Sequence, residues 1–226
     1  MNLEDILREV RYAVKSSQTI NDLKGMANRA IRTIAERANW SSMHDLRPIT
    51  IPSGYSAAPM GPLFKQLSTE QSPVSFTYGN YRLSVEVSSR SRIELAGIWP
   101  FPNGPFSFPV PGGFMPVRVV FFERNGPGGQ WTINVPPQFS ITQDAVFNVQ
   151  AYWYPTPLVK GTDTNPFTED GNLSDAIMML TRAYALRAED PSSEVALAAK
   201  TEAEEAIVRA MYSDAAISMG GRSLRM

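Results

Sequence analysis

A chain of 226 residues is long enough for one large domain or two small ones. Hydrophobic residues make up 43% and charged residues 19%, a composition that can bury a core and excludes a disordered chain. The formal net charge of -1 gives no general attraction to nucleic acid or anionic membranes, and the absence of cysteine excludes disulfides and cysteine-ligated metals.

The N-terminal sequence, MNLEDILREVRYAVK, has acidic residues at its start and no continuous apolar core. It therefore does not have the pattern of a secretory signal. No apolar run approaches the roughly 20 residues needed to cross a bilayer. We expect a soluble protein with no membrane segment.

Two amphipathic helices are predicted before residue 45. The first places its apolar side chains on one helical face, which consists of Leu3, Ile6, Leu7, Val10 and Val14. The second is predicted over residues 20–39, with Thr19 as its N-cap and Asp22 in its first turn. Its apolar stripe consists of Ile20, Leu23, Ala27, Ile31, Ile34 and Ala38.

The middle of the chain has the pattern of strands and turns. Residues 45–73 are rich in Pro, Ser and Gly, which predicts a short extended entry segment followed by loop. From Tyr81 to Trp153, short segments alternate apolar and polar residues, a pattern typical of strands. VRVVFFE, residues 117–123, is apolar on both faces and predicts a central strand. Many short strands at this spacing favour an antiparallel sandwich or barrel.

Two more helices are predicted near the C-terminus. The third starts near Asn172 or Ser174 and ends near 188, and Asp190 with Pro191 is expected to cap and open the last helix, over 191–213. Small side chains on a helix permit close approach of a neighbour. We expect assembly of subunits to bury the small-residue stripe of the last helix, which consists of Ala199, Ala203, Ala206, Ile207, Ala210 and Met211.

This order of elements predicts an α+β fold. The expected architecture is a four-helix bundle formed by both chain ends with an inserted antiparallel β-sandwich or barrel domain, because the terminal helices have no other obvious partner. We assign residues 1–44 and 165–213 to the discontinuous helical bundle and residues 45–164 to the inserted β domain. Residues 214–226 are assigned to a C-terminal arm.

Side chains suited to catalysis or metal binding are sparse. His44 is the single histidine, so a multi-histidine metal site is excluded within one chain and a catalytic triad would depend on this residue alone. We interpret His44 as a surface or capping residue. Glu202, Glu204 and Glu205 are interpreted as a solvated helix face. We predict no catalytic, cofactor or metal site, and therefore no enzyme activity.

The segment WPFPNGPFSFPVPGGFMP, residues 99–116, is unusually apolar for a loop. Its prolines exclude a central strand, and loops of this length are usually functional or disordered. Two interpretations stay open: its side chains fold back on the β domain as a lid, or they pack on a neighbouring subunit or tail protein. The side chains concerned are Trp99, Phe101, Phe106, Phe108, Phe114 and Met115.

The C-terminal sequence SMGGRSLRM has two interpretations as well. It is either a frayed end or an arm that becomes ordered on a partner. In the second interpretation, Leu224 and Met226 are the apolar anchors, and Arg222 and Arg225 contact acidic groups.

The C-terminal third resembles head-to-tail adaptor (connector or neck) proteins of tailed bacteriophages. The stretch AYWYPTPLVKGTDTNPFTEDGNLSDAIMMLTRAYALRAED carries the pattern, with Pro157-Leu158, Asn165-Pro166 and Asp175-Ala176, and PSSEVALAAKTEAEEAIVRAMYSDA follows it. The N-terminal helices, ending in ANWSSM (38–43), fit the same plan. The likeness covers the two ends of the chain, and the middle only in kind, because the β insertion is larger than in the simplest adaptors.

The resemblance implies a structural virion protein made in the host cytoplasm and located at the head-tail junction. Its expected partners are the portal protein, a tail or neck protein and further copies of itself in a dodecameric ring. DNA is implied only as a non-specific occupant of the channel, and no enzyme activity or membrane is implied.

A second hypothesis is a carbohydrate- or receptor-binding β-sandwich module of a phage tail. In it, Trp99, Trp131 and Trp153, together with Tyr81 and Tyr152, would stack on sugars. The alternation pattern argues against this use of Trp131 and Trp153, because both fall in phase with apolar neighbours and are predicted to lie in the core.

Overall fold

The computed structural model describes residues 1–14, 18–69, 72–78, 81–89, 119–124, 129–136, 141, 143–167 and 170–223. Over these residues the fold is α+β. The chain divides into two compact units. The helical unit consists of Met1–Met43 and Tyr154–Met226, and the β unit consists of His44–Trp153.

The described part of the helical unit contains four α-helices and one short 3-10 helix. The helices are α1 (Leu3–Ala13), α2 (Ile20–Arg37), α3 (Gly171–Glu189) and α4 (Glu194–Ser223), and the 3-10 helix is Ser41–Met43. Helix α3 packs against each of the other three α-helices. Its buried side chains are Leu173, Ala176, Ile177, Leu180, Thr181, Ala183 and Ala185.

Both N-terminal helices begin at a capping box. The side chain of Asn2 accepts from the backbone N–H of Asp5, whose carboxylate accepts from the N–H of Asn2. Thr19 and Asp22 make the same exchange at the start of α2, which confirms Thr19 as the N-cap. Each helix start is therefore fixed by local sequence, because the exposed N–H groups of the first turn are satisfied there.

The start and the end of the last helix both differ from the prediction. Pro191 does not open α4; Asp190 caps the end of α3 and accepts from the N–H and hydroxyl of Ser192, forming a turn. The helix begins at Glu194, after Ser193. It continues to Ser223, so the predicted end near 213 is wrong. A glycine pair weakens a helix without forbidding it, which is why Gly220 and Gly221 did not mark the true end.

The segment that follows Trp153 is hydrogen-bonded to the N-terminal helices. The side-chain amide of Asn28 in α2 donates to the carbonyl of Leu158 and accepts from its N–H, at 2.9 and 2.7 Å. The N–H groups of Leu3 and Glu4 donate to the carbonyls of Asp163 and Gly161. These bonds join the first turn of α1 to a stretch of chain far away in the sequence.

The β unit contains eight described strands. They are β1 (His44–Ile51), β2 (Ala57–Pro59), β3 (Phe64–Leu67), β4 (Val74–Tyr78), β5 (Tyr81–Val87), β6 (Val119–Arg124), β7 (Trp131–Asn134) and β8 (Ala145–Trp153). Their order is β1-β8-β4-β5-β6-β7-β2, with β3 paired to β8 beside this path. The end strands β1 and β2 contact each other, so the sheet is a nearly closed, barrel-like one.

The β unit departs from the prediction in two ways. The prediction of an antiparallel domain is wrong for one pair, because Glu86 and Val87 of β5 pair in parallel with Val119 and Val120 of β6. The other pairings among the described strands are antiparallel. Strands β2 and β3 lie in the region predicted to be loop. They are short and bounded by Pro and Gly, so they lack the run of alternation that identifies a strand.

Strand β8 organises the core of the β unit. It pairs with β1 on one side and with β4 and β3 on the other. Its residues alternate between buried and half-buried positions along its whole length. The alternation predicted for this segment is confirmed, because Phe147, Val149, Ala151 and Trp153 are all buried.

Replacing Asn28 with alanine tests the bonds between α2 and the segment after Trp153. Asn28→Ala should lower the free energy of unfolding by about 1–3 kcal/mol, because it leaves the half-buried N–H and C=O of Leu158 without partners. Chemical denaturation measures this change. Asn21→Ala, on the exposed side of the same helix, is the matched control and should change stability by less than about 0.5 kcal/mol.

Asp163 should contribute a pH-dependent part of the stability. Backbone hydrogen bonds from Lys160 and Val159 to its carboxylate lower its pKa from the ordinary value of 3.8. A group with a lowered pKa in the folded state stabilises it above the unfolded pKa, and this contribution is lost as the pH falls through the folded value. Thermal unfolding of Asp163→Asn should therefore show less loss of melting temperature in acid than wild type. An identical acid profile for the two proteins would contradict this role.

Candidate interaction surfaces

The predicted site residues are mostly outside the described residues. This applies to the whole interface loop, which consists of Trp99, Phe101, Phe106, Phe108, Phe114 and Met115, and to the arm residues Leu224, Arg225 and Met226. The remaining arm residue, Arg222, belongs to the last turn of α4. The described strands before and after residues 90–118, β5 and β6, pair through Glu86 and Val87 with Val119 and Val120.

The small-residue stripe of α4 is buried within a single chain, against α3. Ala196, Ala203 and Ala210 are fully buried, and Ala206 and Ile207 are almost so. The expectation that assembly of subunits buries this stripe is therefore wrong. Small side chains indicate close helix packing, and the partner in this case is the preceding helix of the same chain.

The opposite side of α4 carries exposed apolar side chains at helical spacing. We call this set the α4 stripe, and it consists of Leu197, Val208, Met211 and Tyr212. Leu197 and Tyr212 are 56% and 76% exposed. Met211, assigned from the sequence to the small-residue stripe, belongs to this outer side. The sequence signal was available: Val208, Met211 and Tyr212 recur at three- and four-residue intervals on the face away from the alanines.

Acidic side chains flank the α4 stripe. Between Glu194 and Asp214, helix α4 carries five acidic residues and two basic ones. Glu202 and Glu205 are exposed; Glu205 lies on the same side of the helix as Tyr212, and Glu202 lies further round it. Glu204 binds Arg37 of α2 at 2.6 Å, and Glu205 lies 3.9 Å from Arg209. The interpretation of these glutamates as a solvated face is consistent with this placement, apart from the ion pair of Glu204 with α2.

Helix α2 presents an outer face of opposite charge. It carries four basic residues against two acidic ones. The guanidinium of Arg32 lies 3.3 Å from the ring centroid of Tyr154, and that of Arg29 lies 4.7 Å from the ring of Tyr184. Both arginines are exposed, and stacking on a ring restricts their rotamers. The Nε–H of Arg32 also donates to the carboxylate of Glu36, one turn further along the helix, at 2.9 Å. We call this surface, Arg29 and Arg32 with Gly25, the α2 basic face.

Gly25 is the one residue without a side chain in the interior of α2. A Cβ added there would meet no atom within 4 Å. Glycine in a helix interior destabilises it by roughly 0.5–1 kcal/mol relative to alanine. No packing contact within the described chain therefore explains glycine at this exposed position.

His44 and the described carboxylates do not form a recognisable reactive site. His44 is the first residue of β1, half-buried, with its ring 5.0 Å from that of Tyr152. Its Nε2 atom is buried and has no hydrogen-bond partner among the described residues. A general base needs both an orienting partner and a nearby reacting group. Over the same residues, no group of three or more His, Asp or Glu side chains is placed to hold a metal ion.

The tryptophan rings bear on the sugar-binding hypothesis. Trp153 is buried, its indole N–H donates to the carbonyl of Asp45, and its ring contacts Phe64 and the guanidinium of Arg47. The half-buried Trp131 contacts the same Phe64 ring edge-on. The prediction that Trp153 lies in the core is confirmed. Its ring is therefore not a free stacking platform, and Trp99 lies outside the described residues.

Comparisons with known proteins leave these surfaces as the basis for any functional conclusion. No protein-family model matches the sequence, and no curated protein matches it. In the described part of the chain, no helix has the length and apolar character needed to span a membrane.

Substitution of Gly25 should separate stability from surface function. Gly25→Ala should raise the free energy of unfolding by about 0.5–1 kcal/mol, because alanine favours the helix and meets no neighbouring atom. The matched control is Gly54→Ala, which should destabilise, because Gly54 has a φ of +82°. Denaturant titration of both variants measures the two signs. A loss of stability for Gly25→Ala would show that its surroundings are not open.

Proposed function

We propose that this chain is a structural virion protein, a head-to-tail adaptor of tailed bacteriophages. In this proposal, subunits form a ring of about twelve copies that joins the portal protein to a tail or neck protein around the DNA channel. The four helices form a bundle built from both chain ends, and the β unit is an insertion in that bundle. The DNA is a non-specific occupant of the channel, and the protein is made in the host cytoplasm and carried in the virion.

The observation that carries the proposal is the association of the two chain ends. Thr33 of α2 hydrogen-bonds Tyr184 of α3 across 151 positions of sequence, and Arg37 binds Glu204 of α4 across 167 positions. The β unit lies wholly between these ends in the sequence. This discontinuous plan is the one implied by the resemblance of PTPLVKGTDTNPF and the helices that follow it to adaptor proteins.

The length of α4 supports a docking role for the C-terminal end. Helix α4 has 30 residues and α3 has 19, so at 1.5 Å per residue they are about 45 and about 28 Å long. Asp214 accepts hydrogen bonds from the N–H and hydroxyl of Ser41, and Ala210 is the last buried residue of α4 among those whose burial is described. Helices in proteins gain most of their stability from the packing of an apolar face, and in this proposal a partner packs against the residues after Asp214. We propose that this partner is the portal protein.

In this proposal, Arg222 and Arg225 contact acidic groups of the portal, and Leu224 and Met226 supply the apolar anchors. The side chains of the loop, residues 99–116, make the second contact, with the tail protein or with the neighbouring subunit. Trp99, Phe101 and Phe106 lie in its first half, and Phe108, Phe114 and Met115 in its second.

Removing the C-terminal end tests the portal contact. A chain lacking residues 215–226 keeps Asp214 and all the described buried residues of α4, so it should fold with an unchanged melting temperature. We expect it to lose binding to purified portal rings, measured by co-sedimentation and by negative-stain electron microscopy. A full-length chain with residues 215–226 replaced by a Gly-Ser sequence is the length-matched control and should also fail to bind.

Two outcomes would count against the proposal in different ways. Normal portal binding by the truncated chain would remove the arm from the contact while leaving an adaptor role intact. Failure of the wild-type chain to bind any portal or to form rings, together with measurable glycan binding, would favour the receptor-binding hypothesis.

A further inference from the structure

The α4 stripe and the α2 basic face are complementary surfaces of one chain. The first combines exposed apolar side chains with an excess of carboxylates, and the second presents arginines that are already ordered. The buried sides of α2 and α4 both pack on α3, so both outer faces point away from that helix. A chain that carries both faces can associate with further copies of itself.

We propose that the α4 stripe of one copy docks on the α2 basic face of the next copy. In the contact, Glu202 and Glu205 of one subunit bind Arg29 and Arg32 of its neighbour. The rings of Tyr154 and Tyr184 hold these guanidinium groups in place, and Glu36 also binds the Nε–H of Arg32, so less side-chain entropy is lost when a further carboxylate binds. The inference rests on the proposed function, because a ring requires one repeated contact between subunits.

Charge decides which faces meet. If two α4 stripes met each other, the acidic flanks of both helices would be opposed, and like charges in contact disfavour association. If two α2 basic faces met, arginines would be opposed in the same way. A contact between unlike faces avoids both conflicts. Such a heterologous contact leaves one free face on each subunit, and it closes into a ring when the rotation between subunits permits.

Gly25 agrees with this assignment. It lies on the exposed side of α2 in the same part of the helix as Arg29, and the space around its Cβ position is empty in the free chain. A residue with no side chain lets a neighbouring chain approach the helix backbone closely. In the proposed contact, the ring of Tyr212, 76% exposed on α4, packs on this part of α2.

Charge reversal provides the test. Glu202→Lys with Glu205→Lys gives one variant, and Arg29→Glu with Arg32→Glu gives the other. Each alone should weaken self-association by about 100-fold or more, because like charges then face each other. Mass photometry and sedimentation velocity measure the oligomer. Arg11→Glu, on the exposed face of α1, is the control and should leave assembly unchanged.

Two recombinations of the same changes make the test specific. A 1:1 mixture of the two variants should assemble, because each variant then meets the opposite charge on the other. All four substitutions in one chain should also restore self-association. Both restorations require that these four residues face each other across the contact, which a loss caused by misfolding would not produce. Tyr212→Ser, which changes no charge, should weaken assembly without lowering the melting temperature.

The outcomes separate this inference from the proposed function. Assembly of both reversed variants at the wild-type level, or no restoration in the mixture and in the four-substitution chain, would overturn the inference. So would a wild-type chain that stays monomeric at its highest soluble concentration. The adaptor function is decided independently by the binding of the wild-type chain to a portal ring.

Discussion

The helical unit depends on the coverage of α3 from more than one side. A helix on a protein surface buries one apolar stripe, whereas the buried side chains of α3 extend around a wider arc of its circumference. Helix α4 covers one part with its alanines, and α1 and α2 cover another. The helices before the β unit are therefore required by the helix after it. The fully buried Thr181 follows from the same coverage: its hydroxyl donates to the carbonyl of Ile177, since no water is available.

The parts of the fold that could be predicted from the sequence are those with local causes. The capping boxes and the apolar face of α1 are determined by residues close together in the sequence, and so is the alternation of β8. The parallel pairing of β5 with β6 could not be predicted, because strand partners are chosen over long distances by the whole sheet. Strands of three or four residues, such as β2 and β3, are too short to show a period.

The candidate surfaces illustrate why the function of the chain was harder to predict than its helices and strands. The alanines of α4 indicated a close helix neighbour correctly, but sequence alone does not distinguish a neighbour in the same chain from one in another. The stacking of Arg32 on Tyr154 joins residues that are far apart in the chain, so neither could be recognised as part of a surface. By contrast, the spacing of Val208, Met211 and Tyr212 was visible in the sequence, and its importance became clear only after the alanine side was found to be buried.

The pairing of β1 with β8 has a consequence for the order of folding. His44, the first residue of the β unit, is directly opposite Tyr152, next to its last. Once these strands pair, the end of α2 and the segment leading to α3 are held near each other, although the whole β unit separates them in the sequence. The entropy of closing a long loop is then lost during formation of the β unit and does not have to be lost again. Association of the two chain ends becomes, in effect, a local event, so a β unit that folds first would speed completion of the helical unit.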